Sequence, residues 1–355
     1  MRLKELAQYL GLNPSTISVV LNNTPGRSIP EETRKRIKQA AQQFNYQPNL
    51  MARSFRSRRT FTVGILVPEL GDGYHTAVMS GIGDYLAHAG YFYFTAHHRH
   101  HANLVVQYSQ QLIAKGAEGL ICIDTALEHA QSVPAVAVAG HRHIRGVTNI
   151  LLDHRKAAEL TMNHLYSLGH RKIAFMRGQP FSSDSNERWK GIVQVSRELG
   201  IEIKQELTVQ LKRDMSSPEL GYPVIRKLLT HEREFTAIVC FNDIAAIGAI
   251  RAIHDMGLRV PDDISVIGFD DIKAAAYISP NLTTIRQPLT EMGRLAAQCI
   301  VDRLHHTQAF REQIAFSPEL IVRESTSSLP QQKQFPANNA DEPIRKSRNV
   351  SVKKK

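Results

Sequence analysis

Apolar positions near the start of the chain repeat at helical spacing. Leu3, Leu6, Ala7 and Leu10 fall at i, i+3, i+4 and i+7, which marks one face of a short helix, and Gly11 ends it. Asn13 followed by Pro14 combines an N-cap with a proline in the first turn, so a second helix is predicted from about Pro14 to Asn22, with Ile17, Val20 and Leu21 facing inward. The loop NTPGRS leads to Pro30, Glu31 and Glu32, where a proline and two acids suit the positive end of a third helix that buries Ile37, Ala41 and Phe44. Two helices joined by a tight glycine turn, with a third closing the core, make a helix-turn-helix unit. A plain three-helix bundle shares the periodicity, but here the second helix exposes the small polar residues Ser15, Thr16 and Ser18. After Tyr46, Pro48 breaks the third helix and Asn49 can cap the segment LMARSFRS, which is too short to be a stable helix without support.

From Phe61 the pattern changes to apolar runs separated by helix-length stretches. TVGILVP, YFYFTA, GLICI, AVAVAG, KIAFMRG, LTVQL, AIVCFN and SVIGFD read as strands without clean alternation, and segments such as AAELTMNHLYSLGH lie between them. Such runs indicate α/β architecture with parallel sheets covered on both faces, and their number predicts two doubly wound lobes. The domain reading is therefore 1–57 for the helix-turn-helix and its connecting segment, 58–328 for a two-lobed core and 329–355 for a polar, basic tail expected to be disordered.

Charge sharpens this division. Residues 1–60 hold eleven Lys or Arg against three Glu, residues 330–355 hold seven basic against two acidic residues, and the stretch between is close to neutral. A basic head on a neutral body is the footprint of a first domain that meets phosphate. No apolar run is long enough for a membrane span and the first residues do not form a secretory signal, so a cytoplasmic protein without membrane association is expected. Cys122 and Cys240 sit in apolar strand-like runs and Cys299 is remote from both, which favours buried free thiols over disulfides or metal ligands. The run HHRHH at 97–101 lacks Cys or acidic neighbours at zinc spacing and reads as a solvated or interface loop. The chain has no GxGxxG after the first strand, no P-loop and no GxSxG elbow, so neither an enzyme nor a cofactor is expected.

The head LKELAQYLGLNPSTISVVLNN, continuing as IPEETRKRIKQAAQQFNYQPNLMARSF, resembles the lactose-repressor (LacI) family, and SLGHRKIAFMRG, FNDIAAIGAIRAIHDMGLRVPDDISVIGFDD and LTTIRQPLTEMG follow in that family's order and spacing. The resemblance covers nearly the whole chain to about residue 326. It implies a homodimer, or a dimer of dimers, binding double-stranded DNA at a near-palindromic operator and usually repressing transcription. It also implies a core like periplasmic sugar-binding proteins, whose effector is most often a sugar and in some members a nucleobase or phosphorylated metabolite. A cytosolic sugar-binding or sugar-modifying protein without operator specificity is the competing reading.

By the same resemblance, Pro14, Ser15 and Val19 occupy the base-reading positions of the second helix. Val19 stands where a basic or polar residue is common, and it offers bases only apolar contact. Thr16, Asn22, Thr33, Tyr46 and Asn49 are placed as phosphate ligands, which set register without reading sequence. Asn13, Ser18 and Arg53 complete the DNA-facing set. Phe55 stands at the family's hinge leucine, a minor-groove wedge, with packing between hinge and core as the alternative. Four positions match effector contacts at the carboxyl ends of strands: Tyr74, Arg188, Asn242 and Asp270. Arg188 and Asp270 suit a polyhydroxylated or anionic ligand, the alternatives being a domain ion pair and a turn or cap residue. His75 lies beside Tyr74 and joins the effector set. Trp189 follows Arg188 and suits either a sugar ring or the core, and Asp243 reads as an N-cap.

Overall fold

The computed structural model describes residues 2–21, 28–46, 59–71, 73–140, 143–180, 182–212, 218–232, 234–307 and 309–329. Asn22, Asn49, Arg53, Phe55, the segment LMARSFRS and the tail beyond Leu329 lie outside them.

The head forms α1 (Leu3–Leu10), α2 (Pro14–Leu21) and α3 (Glu31–Gln43). Gly11 ends α1 in the left-handed region at φ 65, a conformation open to a residue without Cβ, and its N–H donates to the carbonyls of Ala7 and Gln8. Asn13 Oδ1 accepts from the Ser15 N–H at 2.9 Å, as its place ahead of Pro14 predicts. Leu6, Ala7, Leu10, Ile17, Val20, Ile37, Ala40 and Ala41 form one core, with Leu21 and Phe44 packed against it.

Behind the head lie two six-stranded sheets. Lobe 1 contains β1 (Thr62–Val67), β2 (Phe92–His97), β3 (Gly119–Ile123), β4 (Ala135–Val138), β5 (Val147–Leu152) and β11 (Gln313–Phe316), in the order β2-β1-β3-β4-β5-β11, all parallel. Lobe 2 contains β6 (Ile173–Arg177), β7 (Thr208–Gln210), β8 (Ala237–Val239), β9 (Ser265–Asp270), β10 (Thr283–Arg286) and β12 (Glu319–Ile321), in the order β7-β6-β8-β9-β10-β12, with β12 antiparallel. The helices are α4 (Tyr74–His88), α5 (Ala102–Ala114), α6 (His154–Ser167), α7 (Ser183–Glu198), α8 (Gly221–His231), α9 (Asp243–Asp255) and α10 (Leu289–His305). The chain crosses between lobes after Leu152, after Arg286 and after Phe316, so α10 and β11 return to lobe 1 and β12 to lobe 2.

Eight strands fall on the apolar runs read from sequence, whereas β5, β10, β11 and β12 do not. β11 and β12 are short, and none of their positions is fully buried, so neither presents an apolar run. β5 and β10 are buried, but Thr148, Asn149, Thr283 and Thr284 interrupt their apolar character. Leu329 donates its N–H to the Leu168 carbonyl at 3.0 Å.

Cys122 and Cys240 are buried and free, and Cys299 is partly buried and free. The HHRHH run needs a correction: His97 ends β2, and His98 is buried with Nε2 2.9 Å from Thr125 Oγ1. Among the described residues no group of His, Cys, Asp or Glu is arranged to hold a metal, and no helix is long and apolar enough to cross a membrane.

Candidate functional site

The exposed side of α2 carries Asn13 and Ser15 in solvent, with Pro14, Thr16, Ser18 and Val19 half-buried beside them. Ile17 and Val20 are fully buried on the opposite side, so the helix is fixed from behind and presents short side chains outward. Thr33, in the first turn of α3, and Tyr46, just past its end, are both half-buried. Short side chains at a helix N-terminus allow close approach to base edges and phosphates.

The second site lies where the two sheets meet at their carboxyl ends. Both are wound in the same order, and the first and third strands of each diverge at a switch point, where loops leave a crevice. In lobe 2, β6, β8 and β9 bring Gly178, Phe241 and Asp270 to this edge, and the first turns of α7 bring Asp184, Ser185, Arg188 and Trp189. A Cβ on Gly178 would collide with the Phe241 ring, so glycine lets that ring lie against the strand end.

Arg188 is held on every side. Its Nη1 donates to the Phe241 carbonyl at 2.7 Å, and Nη2 lies 2.8 Å from Asp184 Oδ2 and 3.7 Å from Asp270 Oδ1. The guanidinium carbon lies 3.7 Å from the Phe269 ring centre and 4.6 Å from that of Phe241. Its Nε is buried without a hydrogen-bond partner, and so is the Oγ of Ser185. The ion-pair alternative for Arg188 thus describes part of its environment, while leaving a donor to spare.

Asp270 ends β9 at φ 114, a conformation rare for a residue with a side chain, and is 4% exposed. Gln287 Nε2 donates to its Oδ1 at 2.6 Å. Burial raises its pKa from 3.8 to about 6, against the pull of Arg188 and the Gln287 hydrogen bond.

Lobe 1 supplies Tyr74 and His75 from the start of α4. His75 Nε2 is buried, without a hydrogen-bond partner, 3.8 Å from Asp124 Oδ2 at the end of β3. Tyr74 Oη is likewise buried and unpartnered. Burial, and then the negative charges of Asp184, Asp124 and Asp270, hold its pKa well above the ordinary value, so it remains a neutral hydroxyl facing carboxylates of both lobes. Burial, and then neighbouring histidines, push the His98 pKa down to about 4.

Sequence reasoning placed Tyr74, His75, Arg188 and Asp270 here, and the structure brings all four to one cleft. Asn242 reaches its edge, but its Oδ1 caps α9 by accepting from the Ala245 N–H at 2.9 Å. The cap expected of Asp243 therefore belongs to its neighbour. Asp243 is a fully buried carboxylate, accepting from Thr284 Oγ1 at 2.6 Å and the Ile272 N–H at 2.9 Å, and burial raises its pKa well above the ordinary value. Asp124, His154, Asp184, Phe241, Phe269 and Gln287 were missed. Asp124 follows the run GLICI directly, and Asp184 stands four residues before Arg188, so the strand-end and i,i+4 rules could have found both.

Two family models match this chain: bacterial regulatory proteins of the lacI family over residues 2–49, and the periplasmic binding protein-like domain over residues 162–326. The HTH-type transcriptional repressor PurR of Pasteurella multocida is 30% identical over 338 residues, covering 92% of this chain and 98% of the relative. The chain belongs to the lacI family of bacterial regulatory proteins. PurR of Aliivibrio fischeri is 31% identical over 334 residues, with 92% and 98% covered. Among solved structures, the lac repressor dimer bound to operator and the anti-inducer ONPF superposes with a TM-score of 0.82 at 24% identity, covering 92% of this chain and 99% of the other. A LacI-family sugar-binding transcriptional regulator of Escherichia coli complexed with phosphate gives 0.65 at 27% identity, covering 76% and 99%. This lacI-family chain is a DNA-binding transcriptional repressor and not an enzyme, which removes the sugar-modifying alternative.

Proposed function

We propose that this lacI-family protein binds a near-palindromic operator as a homodimer in the cytoplasm, and that a neutral, hydroxyl-rich small molecule of the carbohydrate class, held between the lobes, sets its operator affinity. The observation that carries the effector class is the surrounding of Arg188. Two carboxylates, Asp184 and Asp270, already share its charge, and Asp124 faces them across the cleft beside Tyr74. An anionic effector would have to displace a carboxylate from Arg188 and then sit beside both. A sugar hydroxyl avoids this conflict, because it donates to Asp124 or Asp270 while accepting from Tyr74 Oη or Arg188 Nε. The aromatic faces of Phe241, Phe269 and Tyr74 suit the apolar face of a pyranose or furanose ring.

At the DNA, Pro14, Ser15 and Val19 read bases, while Asn13, Thr16, Ser18, Asn22, Thr33, Tyr46, Asn49 and Arg53 fix register on the backbone and Phe55 acts as the central wedge. The relatives named as transcriptional repressors and the operator-bound dimer among the similar structures support this reading. Each phosphate neutralised adds about −0.9 to the slope of log affinity against log salt.

The chain contains one tryptophan, Trp189, which lines the lobe-2 cavity beside Arg188 and is a built-in reporter. Its fluorescence is titrated with D-ribose, D-glucose, cellobiose, D-glucose 6-phosphate and hypoxanthine. Duplexes selected from a random pool are then bound with and without any compound that responds. A saturating response to a neutral sugar that shifts operator affinity supports the proposal. Response to the phosphorylated sugar or the purine alone overturns the effector class, and equal binding to all duplexes overturns the operator reading.

A further inference from the structure

The polar side chains along the lobe-2 wall form one continuous buried line, and its two ends stand at crossovers between the lobes. His154 is the first residue of α6, directly after the chain leaves lobe 1, and its Nε2 lies 3.4 Å from Asp184 Oδ1. Asp184 holds Arg188 at 2.8 Å through its other oxygen. Arg188 reaches Asp270 at 3.7 Å, and Asp270 accepts from Gln287 at 2.6 Å. Gln287 lies in the second crossover, and its carbonyl accepts from the N–H of Leu289, the first residue of α10.

The line does not stop at Gln287. α10 and α4 approach closely at two glycines: a Cβ on Gly81 would collide with the Thr290 carbonyl, and one on Gly293 with the Val78 carbonyl. α4 in turn begins at Tyr74 and His75, the lobe-1 face of the cleft. The path therefore leaves the cleft at Asp270, passes through the root of a lobe-1 helix and returns to the cleft at Tyr74.

We propose that the chain His154, Asp184, Arg188, Asp270, Gln287 ties the first two crossovers to each other, with Arg188 as the shared link, so that a molecule seated on Arg188 resets both crossovers together. His154 and Gln287 are then positioning residues: they act through Asp184 and Asp270 and set the angle at which the lobes face each other. Three features favour this arrangement. His154, Asp184, Asp270 and Gln287 are all buried, so their interactions are little screened by solvent. Arg188 is shared between two carboxylates, so a ligand that draws on one weakens or strengthens its hold on the other. Among the described residues the third crossover has no such buried member, and Arg286 pairs with Glu319 beside it at 3.0 Å on the surface.

A ligand shifts the lobe angle only through a difference in its binding to the two arrangements, and the shared arginine supplies that difference at both crossovers in one event. The proposal rests on the cleft being the effector site, but its test needs neither effector nor DNA. An error in the effector class would leave the result below unchanged.

The test is a mutant cycle on the full chain, followed by urea unfolding. His154→Leu, Gln287→Met and the double variant are compared in the native background and again with Arg188→Met. In the native background the double variant's unfolding constant is expected to depart by about five-fold or more from the product of the single changes, as for residues joined in one network. With Arg188 replaced, the departure should vanish. Amide hydrogen exchange adds a readout that ordinary destabilisation would not reproduce: Gln287→Met raises exchange at residues 154–157, and His154→Leu raises it at Gln287, Leu289 and Thr290, each only while Arg188 is present. His154→Gln, which keeps a donor, should restore the native exchange pattern at the far crossover. If Arg188→Met does not fold, Arg188→Lys serves, since an ammonium cannot span both carboxylates in the same way. Additive changes in the native background, or coupling that persists without Arg188, would overturn the proposal.

Discussion

Lobe 1 and lobe 2 wind their first five strands in one order, yet they contribute unequally to the cleft. Lobe 2 brings an arginine clamped by two carboxylates, two aromatic faces and a strained strand end, all held by one another before any ligand arrives. Lobe 1 brings Tyr74 and His75, whose Oη and Nε2 are buried and lack hydrogen-bond partners. A shared topology thus delivers loops to one place but does not decide what they carry. The lobe-2 wall is clamped by ion pairs and leaves Arg188 Nε and Ser185 Oγ to spare, whereas Tyr74 Oη and His75 Nε2 of the lobe-1 wall have no hydrogen bond to hold them.

The largest expected effect breaks the wall that is clamped by ion pairs. Arg188→Ala leaves Asp184 and Asp270 buried together without their shared cation, which costs about 3–5 kcal/mol of unfolding free energy. The effector response should disappear as well. Urea unfolding at pH 7 reads the first effect and Trp189 fluorescence the second. A loss below about 1 kcal/mol would mean that the clamp is not preorganised.

Packing of the helices gives a second comparison, in which the lobes should behave alike. Gly81 in lobe 1 and Gly221 in lobe 2 each face a carbonyl of the neighbouring helix, Thr290 and Ala245 respectively, at a distance that admits no Cβ. Gly81→Ala and Gly221→Ala should each cost about 3 kcal/mol, since backbone must move to relieve the overlap. Gly200→Ala is the control: its φ of 66 is strained for alanine but nothing lies within 4 Å, so about 1 kcal/mol is expected. Equal losses at all three positions would show that backbone conformation, not helix contact, governs the effect.

These positions also show what the sequence makes legible. Central strands declare themselves because burial on both faces demands unbroken apolar runs, as in TVGILV and GLICI. The edge strands QIAF and ELI do not, because solvent covers one side and pairing is decided by distant residues. Arg188 and Asp270 were placed by the resemblance, which matches them to effector contacts near the carboxyl ends of strands. His154 and Gln287 are single polar residues whose partners lie far along the chain, and no local pattern announces them. His98 was hidden by its own neighbours, since four adjacent histidine and arginine side chains suggest solvent when one of the histidines is in fact enclosed.

Acid should separate the lobes by sign. In lobe 2 the Asp270 pKa is raised to about 6, so this group's contribution to stability is full below 3.8 and is lost as pH rises through about 6. In lobe 1 the His98 pKa is lowered to about 4, so its contribution is full above 6.5 and is lost as pH falls toward 4. Between pH 7 and 4.5, wild type should gain about 2 kcal/mol relative to Asp270→Asn and lose about 2 kcal/mol relative to His98→Gln. Urea unfolding of the three proteins at both pH values measures this, and same-sign changes would contradict the assigned environments.

The smallest effect addresses the lobe-1 wall most directly. Tyr74→Phe removes a hydroxyl that is buried and unpartnered, so the ligand-free protein should become more stable by about 1 kcal/mol, opposite in sign to the loss at Arg188. The same substitution should weaken effector binding, because the hydroxyl lies where carboxylates of both lobes converge and can join a ligand to them only if it is present. A thermal melt of the ligand-free variant and a Trp189 titration with whichever sugar responds test the two halves separately. Gain of stability with loss of affinity would mark Tyr74 as a residue kept for ligand at the expense of the fold. A loss of stability would mean that the hydroxyl already has a partner, and the contrast between a clamped and an unclamped wall would fail.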